Sequence, residues 1–419
     1  MKHFFSRLVP QFIKNVFYHW PFAVVANVAF GFPGKKLRII GVTGTNGKTT
    51  TTEFITRILD EAGYQVAKAS TIEYEIGKKK WVNASKYTTP SSWQLQKFLS
   101  DALQAGCEWV VLETSSHALH QRRVWGVRYE VAVITNVTRE HLDYHRSIDR
   151  YRAAKHRLFE GAENAVINLD MERPEEYLQE HFKQTLTFST KKKEATVFSS
   201  EMNLDFTGSE FLALGKLFRL RLPGVFNIEN ALAAITTAKL LGIDTEVMQK
   251  ALAKVSGIPG RMELVSNARG LDIIIDYAVT PDAFEKLYTV ALPMKIPGTK
   301  IIHVFGACGE RDRGKRPVMG KMASEKADIV ILTNEDPYYE DPERIIDEIE
   351  GGIENKKPGE NFYRIFDRRE AIVKALSLAE EGDILLVTGK GAEETMAFGA
   401  KRVPWQERRV IEEELTKLS

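Results

Sequence analysis

Gly41-Val42-Thr43-Gly44-Thr45-Asn46-Gly47-Lys48-Thr49-Thr50 is the stretch that decides the fold. It follows the apolar run from Leu37 to Ile40 and precedes a helical pattern over Glu53–Ala62. Strand, glycine loop and helix in that order form the context in which a phosphate-binding loop works. The glycines let backbone N–H groups converge on phosphate oxygens, and the helix N-terminus adds positive potential at the same point. Lys48 supplies a mobile cation for the terminal phosphates. The Thr49 hydroxyl offers a hard oxygen to Mg²⁺.

Outward from this loop, strand and helix patterns alternate. Apolar runs at Leu37–Gly41, Trp109–Glu113, Val131–Thr135, Ala165–Asn168, Ile273–Asp276, Lys300–Phe305, Ile329–Leu332 and Ile384–Thr388 read as strands of parallel α/β layers. The stretch 183–222 lacks helical periodicity. It reads as a small antiparallel insertion with strands Val197–Phe198, Phe211–Leu214 and Phe218–Leu222, ahead of a strong helix over Asn227–Leu241. Ser256-Gly257-Ile258-Pro259-Gly260 reads as a linker to a second α/β unit. The expected organisation is a helical segment 1–34, an ATP-binding domain 35–257 and a Rossmann-like α/β domain 258–419.

The bulk numbers are those of an ordinary globular chain: 419 residues, 43% hydrophobic, 27% charged, net charge +2. Lys78-Lys79-Lys80 and Lys191-Lys192-Lys193 read as solvated turns, and nothing argues for a nucleic-acid surface. Cys107 and Cys308 have no metal or redox spacing and fit a reducing cytoplasm. Met1–Lys14 is basic and amphipathic, and Phe22–Phe30 is apolar but too short to span a bilayer. A helix packed on the first domain is the preferred reading there, with peripheral membrane contact as the alternative.

Thr-Gly-Thr-Asn-Gly-Lys-Thr-Thr is narrower than a general phosphate loop and resembles the Mur ligase family, a superfamily of ATP-dependent amide-forming ligases that includes folylpolyglutamate synthetases. Further strings follow in family order from about residue 34 to 415. Glu113-Thr114-Ser115-Ser116-His117 and Thr135-Asn136-Val137-Thr138-Arg139-Glu140-His141-Leu142-Asp143-Tyr144-His145 resemble the MurE type. The resemblance implies ATP contacts at Gly44, Thr45, Asn46, Gly47, Lys48, Thr49 and Thr50, at Asn230 beside the adenine, and at Arg261 and Asp276 across the domain gap. It implies two Mg²⁺ ions held by Thr49, Glu113, His141 and a carbamylated Lys155. Lys48, Glu113, His141 and Lys155 would form the catalytic set. Thr88, Thr89, Ser115, Gln121 and Arg123 would contact the acceptor. Arg311, Asp336, Tyr338, Gly389 and Glu393 would contact the incoming amino acid, Glu393 through its ammonium group. Read without the family, Ser115 or Ser116 could simply cap a helix, Asn227 likewise, and Lys155 could pair with Glu113 or a phosphate.

Three departures qualify the resemblance. MurE-type enzymes begin with a domain that holds the uridine diphosphate of the acceptor, and here about 35 residues precede the loop strand, too few for a normal core. The acceptor then lacks that handle, binds it weakly, or finds it on a partner chain. Diaminopimelate-adding members carry Asp-Asn-Pro-Arg, whereas this chain has Glu335-Asp336-Pro337-Tyr338. Tyr338 offers no charge to a second carboxylate, so lysine or another amino acid without one is favoured. Finally, Val279 and Ala392 stand where two family imidazoles are expected. The resulting expectation is a cytoplasmic ligase that joins a free amino acid to a UDP-linked muramoyl peptide in peptidoglycan precursor synthesis. A ligase for a folate-like or other γ-glutamyl acceptor, and a nucleotide-binding scaffold without turnover, are the alternatives.

Overall fold

The computed structural model describes residues 10–85, 87–178 and 181–418. Residues 1–9 of the basic N-terminal segment lie outside the described residues. The first sheet has nine strands: β1 (Arg38–Thr43), β2 (Val66–Ala69), β3 (Glu73–Ile76), β4 (Lys79–Val82), β5 (Trp109–Glu113), β6 (Tyr129–Ile134), β7 (Asn164–Asn168), β8 (Gln184–Ser189) and β9 (Val197–Phe198). Their order is β4-β3-β2-β5-β1-β6-β7-β8-β9. From β2 to β9 every pairing is parallel, and β3 and β4 add an antiparallel hairpin at one edge. The inner strands are unbroken apolar runs because helices cover both faces of a parallel sheet. Alternate residues of β1 feed two cores: Ile40 and Val42 one, Ile39 the other.

A small antiparallel sheet follows, with β10 (Ser200–Asp205), β11 (Gly208–Ala213) and β12 (Lys216–Leu220). The sequence places Val197–Phe198 in this insertion, but the strand pairs instead in parallel with β8 and extends the large sheet. Its two residues carry no pattern that says which sheet they join. The second large sheet comprises β13 (Glu263–Val265), β14 (Asp272–Asp276), β15 (Ile301–Phe305), β16 (Ile329–Leu332), β17 (Phe362–Arg364) and β18 (Ile384–Thr388), in the order β13-β14-β18-β15-β16-β17. All its pairings are parallel except that of β13.

The expected helices at 53–62 and 227–241 run over Lys48–Glu61 and Val225–Leu240. Asn227 caps neither end: Gly224 is the cap residue, and the Asn227 amide donates to Pro223 O at 2.8 Å. Helical turns run from Gln11 to Ala29, including a π-helical turn over Asn15–His19. Among the described residues, no helix is long and apolar enough to cross a membrane. The carboxyl ends of the parallel strands in both large sheets open onto one cleft, where ligands of open α/β sheets bind.

Candidate active site

The cleft encloses about 550 Å³, and both large sheets contribute to its walls. The phosphate loop forms its floor. Gly47 has φ 84°, and a Cβ there would sit 2.1 Å from Asn230 Oδ1. At Gly44 a Cβ would sit 1.9 Å from Thr135 Oγ1. The loop is therefore pressed against the neighbouring strand end and the Val225–Leu240 helix, and only glycine fits at these points. Lys48 curls over the loop and donates to Gly44 O at 3.2 Å and Thr45 O at 2.8 Å. Asn230 meets the loop itself, its Oδ1 accepting from Thr51 Oγ1 at 3.5 Å.

Glu113 ends β5 beside this loop. One carboxylate oxygen accepts from Thr49 Oγ1 at 3.0 Å and from Thr71 N at 2.8 Å, and the other accepts from Thr71 Oγ1 at 2.9 Å. Thr49 and Glu113 thus already stand together. Both offer hard oxygens, as Mg²⁺ requires.

Lys155 comes up from the Ile148–His156 helix and is buried, with Nζ donating to Gly44 O at 2.6 Å. It does not pair with Glu113. Burial, reinforced by the nearby Lys48 cation, pushes its pKa well below the usual lysine range. The shift favours the neutral, nucleophilic amine over the ammonium. His141 occupies a left-handed turn with φ 55°. Its imidazole packs edge-on against His117, with ring centroids 4.7 Å apart. Burial within the cleft, then the nearby Lys48 cation, pushes the His141 pKa well below the usual imidazole range. The His117 pKa is lowered in the same way, by burial first and then by His141 and His145. His145 hydrogen-bonds Ser116 Oγ at 3.0 Å, and burial takes its pKa down to about 4.

Thr71, Tyr87, Thr88, Ser115, Gln121 and Arg123 line one side of the cleft. Ser115 caps the Ser116–His120 helix, accepting from Ala118 N, so the capping reading of this serine holds alongside its place in the cleft. Arg123 donates to Thr89 O at 2.6 Å and lies over the Tyr87 ring at 5.5 Å. Thr89 differs from the expectation. Its side chain is buried, donating to Glu113 O at 2.9 Å and accepting from Ser115 N at 2.8 Å. It braces the wall and is not among the cleft-lining residues.

The second sheet supplies the opposite side. Arg261 stacks on Tyr277 at 4.6 Å and donates to Thr49 Oγ1 at 3.4 Å, so it reaches the phosphate loop across the domain gap. Asp276 lies below it, accepting from Met262 N at 2.8 Å; burial raises its pKa and Arg261 opposes the rise. Arg311 points into the cleft near Cys308, Tyr338 and Tyr277.

Of the remaining residues expected at the amino acid, Asp336, Tyr338, Gly389 and Glu393 stand behind this wall, outside the cleft lining. Asp336 is engaged by Lys390 Nζ at 2.9 Å and by Ala397 N at 2.7 Å, and Lys390 also pairs with Glu393. Tyr338 turns away: its N–H donates to Ala397 O, and its ring faces Arg402 at 5.3 Å. Asp336 and Glu393 are thus committed to an ion network around buried Lys390, a tertiary fact that their motif does not encode.

Glu335 takes the place in the cleft instead. It is buried, its Oε2 has no hydrogen-bond partner, and burial raises its pKa. Sequence reasoning passed over it in favour of its neighbours, although it stands in the same four-residue string at the carboxyl end of β16. Asp282 was also missed. It accepts from the Asn46 side chain and pairs with Lys286 at 3.1 Å, adding a second bridge between the two sides of the cleft. Only its position one residue after the Thr280-Pro281 helix start could have pointed to it.

Comparison with known proteins adds relatives to this geometry. Residues 42–238 match the Mur ligase middle domain and residues 260–391 the Mur ligase, glutamate ligase domain. The UDP-N-acetylmuramoyl-L-alanyl-D-glutamate--2,6-diaminopimelate ligase of Clostridium tetani is 38% identical over 402 residues, covering 94% of this chain and 81% of the relative. A solved structure of a ligase of the same name has a TM-score of 0.62 at 32% identity, covering 91% of this chain and 79% of that one. The MurF ligase of Thermotoga maritima in complex with ADP shares the fold, with a TM-score of 0.66 at 22% identity over 94% of this chain and 84% of that one.

Proposed function

The chain belongs to the Mur ligase family of ATP-dependent amide-forming ligases, and from that premise we propose that it adds an amino acid to the peptide of UDP-N-acetylmuramoyl-L-alanyl-D-glutamate in peptidoglycan precursor synthesis. The observation that carries the proposal is the convergence of Lys48, Glu113, Lys155 and Arg261 from two sheets on one cleft. In this reading residues 35–257 bind ATP and the acceptor, residues 258–419 bring the incoming amino acid, and the reaction runs in the cytoplasm.

The acceptor carboxylate attacks the γ-phosphate of ATP, giving an acyl phosphate and ADP. The amine of the amino acid then attacks the acyl carbon, and phosphate leaves. Lys48 leaves its loop carbonyls to meet the phosphoryl charge, and Arg261 meets it from the other side. Thr49, Glu113 and His141 would hold Mg²⁺, which takes few protein ligands and completes its shell with phosphate oxygens and water. When bound, Mg²⁺ offsets the phosphate charge. CO₂ reacts with a lysine in its neutral amine form, which the lowered pKa of Lys155 favours, and the carbamate would place an anion beside the loop. Gln121 and Arg123 orient the acceptor. With both sheets closed on the cleft, water is kept from the acyl phosphate.

For the amino acid, Arg311 takes the α-carboxylate. Glu335, whose Oε2 has no hydrogen-bond partner, takes a side-chain ammonium, and Tyr338 offers nothing to a distal carboxylate. Lysine is therefore favoured over diaminopimelate. The test is product mass spectrometry with ATP, Mg²⁺, UDP-N-acetylmuramoyl-dipeptide and either amino acid. A conjugate one lysine heavier, with ADP released, supports the proposal. ADP release without a conjugate assigns another acceptor, such as a γ-glutamyl one, and absence of ATP turnover leaves a scaffold.

A further inference from the structure

The N-terminal helical segment is inside out. Its inward face sets two buried asparagines beside the small Ala23 and Ala26: Asn15 donates to His120 O at 3.0 Å, and Asn27 donates to Ala23 O at 2.9 Å and Trp125 O at 2.7 Å. Both asparagines are buried. Its outward face is apolar. Phe17 is 75% exposed, Tyr18 64%, Val25 57% and Val28 63%, with Val16, Trp20 and Phe22 also open. Small alanines and asparagines inside with large apolar side chains outside invert the usual arrangement and mark a face built to meet a partner. The face continues onto the neighbouring helix: the Tyr18 and Phe22 rings stack at 6.3 Å, and Trp93 lies 6.5 Å from Phe22 and 5.0 Å from Phe30.

The charge along the N-terminal segment has one sign, while on the neighbouring helix Lys97 is neutralised by Asp101 at 2.7 Å. Lys14 stands at its start and Lys35 and Lys36 just past its end, and none of the three makes an ion pair among the described residues. The first acidic residue of the whole sequence is Glu53. Aromatic side chains that carry a polar tip, bracketed by lysines, suit the boundary between headgroups and acyl chains of an anionic bilayer.

We propose that the outward face of residues 11–30 is a docking surface for an anionic lipid membrane, on which the protein lies without spanning it. Asn15 and Asn27 tie this helix to the 120–125 turn, which carries Gln121 and Arg123. Docking therefore holds the acceptor side of the cleft about one helix diameter, roughly 10 Å, from the lipid surface.

The test is flotation of the full chain with vesicles of phosphatidylcholine, or of phosphatidylcholine and phosphatidylglycerol in equal parts. The protein floats with the anionic vesicles, and its tryptophan emission shifts to the blue as Trp20 and Trp93 leave water. A Phe17→Glu, Val25→Glu double variant loses flotation at least ~10-fold. It keeps the wild-type melting temperature and ADP release, because neither side chain touches the core or the cleft. Replacing Lys35 and Lys36 with Gln lowers anionic binding about fivefold for each charge removed. The proposal is overturned if the wild-type protein stays with neither vesicle. It is equally overturned if the protein forms a concentration-dependent dimer that the double variant abolishes while flotation is unchanged, which would assign the face to a second copy of the chain. Equal binding to neutral and anionic vesicles would also overturn it, because the lysines would then have no role.

Discussion

Lys155 offers the sharpest test of the site's electrostatics. It is fully buried, its Nζ donates to Gly44 O, and Lys48 stands near, with the Glu140 carboxylate opposing these effects only in part. Its folded-state pKa lies well below the ordinary 10.5, so the unfolded chain binds one more proton across the interval between the two values. Stability therefore rises with pH through that interval, by up to about 1.4 kcal/mol per unit, and the burial cost is largest below it. Lys155→Met keeps the length of the side chain and removes the titration. The lost hydrogen bond costs about 1 kcal/mol. In CO₂-free, metal-free buffer the stability of the variant relative to the wild type should be greatest at the acid end of that interval. The wild type should gain on it as pH rises towards the ordinary lysine range, by up to about 1.4 kcal/mol per unit. Denaturant unfolding at several pH values reads this directly. The same variant should lose ligation by about 10²–10³-fold, the usual scale for removing one group that meets developing charge. A wild-type-minus-variant difference that stays flat from neutral to alkaline pH would refute the reasoning, because Lys155 would then be an ordinary ammonium.

Glu335→Gln should raise KM for lysine by roughly 10–100-fold, the equivalent of one charge-assisted hydrogen bond, while leaving the KM for ATP unchanged; steady-state kinetics with each substrate varied decides it. Gly47→Ala should abolish nucleotide binding by calorimetry, since the new Cβ would fall 2.1 Å from Asn230 Oδ1 in a φ 84° turn. Arg261→Ala should weaken ATP turnover by about 10²-fold with little change in melting temperature, because its only contact with the phosphate loop is the 3.4 Å bond to Thr49. His145, with its pKa lowered to about 4, binds its proton more readily unfolded than folded. Its contribution to stability should therefore be lost as pH falls from about 6.5 towards 4, by up to ~1.4 kcal/mol per unit, and His145→Asn should flatten an acid-unfolding series over that window.

Much of the site was legible in sequence because its members sit at fixed offsets from strand ends. Glu113 closes an apolar strand, Lys48 and Thr49 open a helix after a glycine loop, and Asp276 ends β14. In a parallel sheet each of these positions must face the ligand edge. The string Glu335-Asp336-Pro337-Tyr338 was harder. Its location was readable, but which of its side chains faces the cleft depends on Lys390, which lies 54 residues further along and draws Asp336 into the wall. The same limit applies to Thr89, a motif residue whose hydroxyl is consumed by Glu113 O and Ser115 N.

By itself, the sequence determined the parallel α/β architecture, the phosphate loop and the family, because periodicity, glycine spacing and strand-end chemistry are local properties. Only the tertiary structure decided which of the motif side chains remain free to meet a ligand, that Arg261 reaches Thr49, and that the N-terminal helix turns its asparagines inward and its aromatics outward. Burial, proton affinity and hydrogen-bond saturation are set by neighbours distant in the chain, and no local pattern specifies those neighbours.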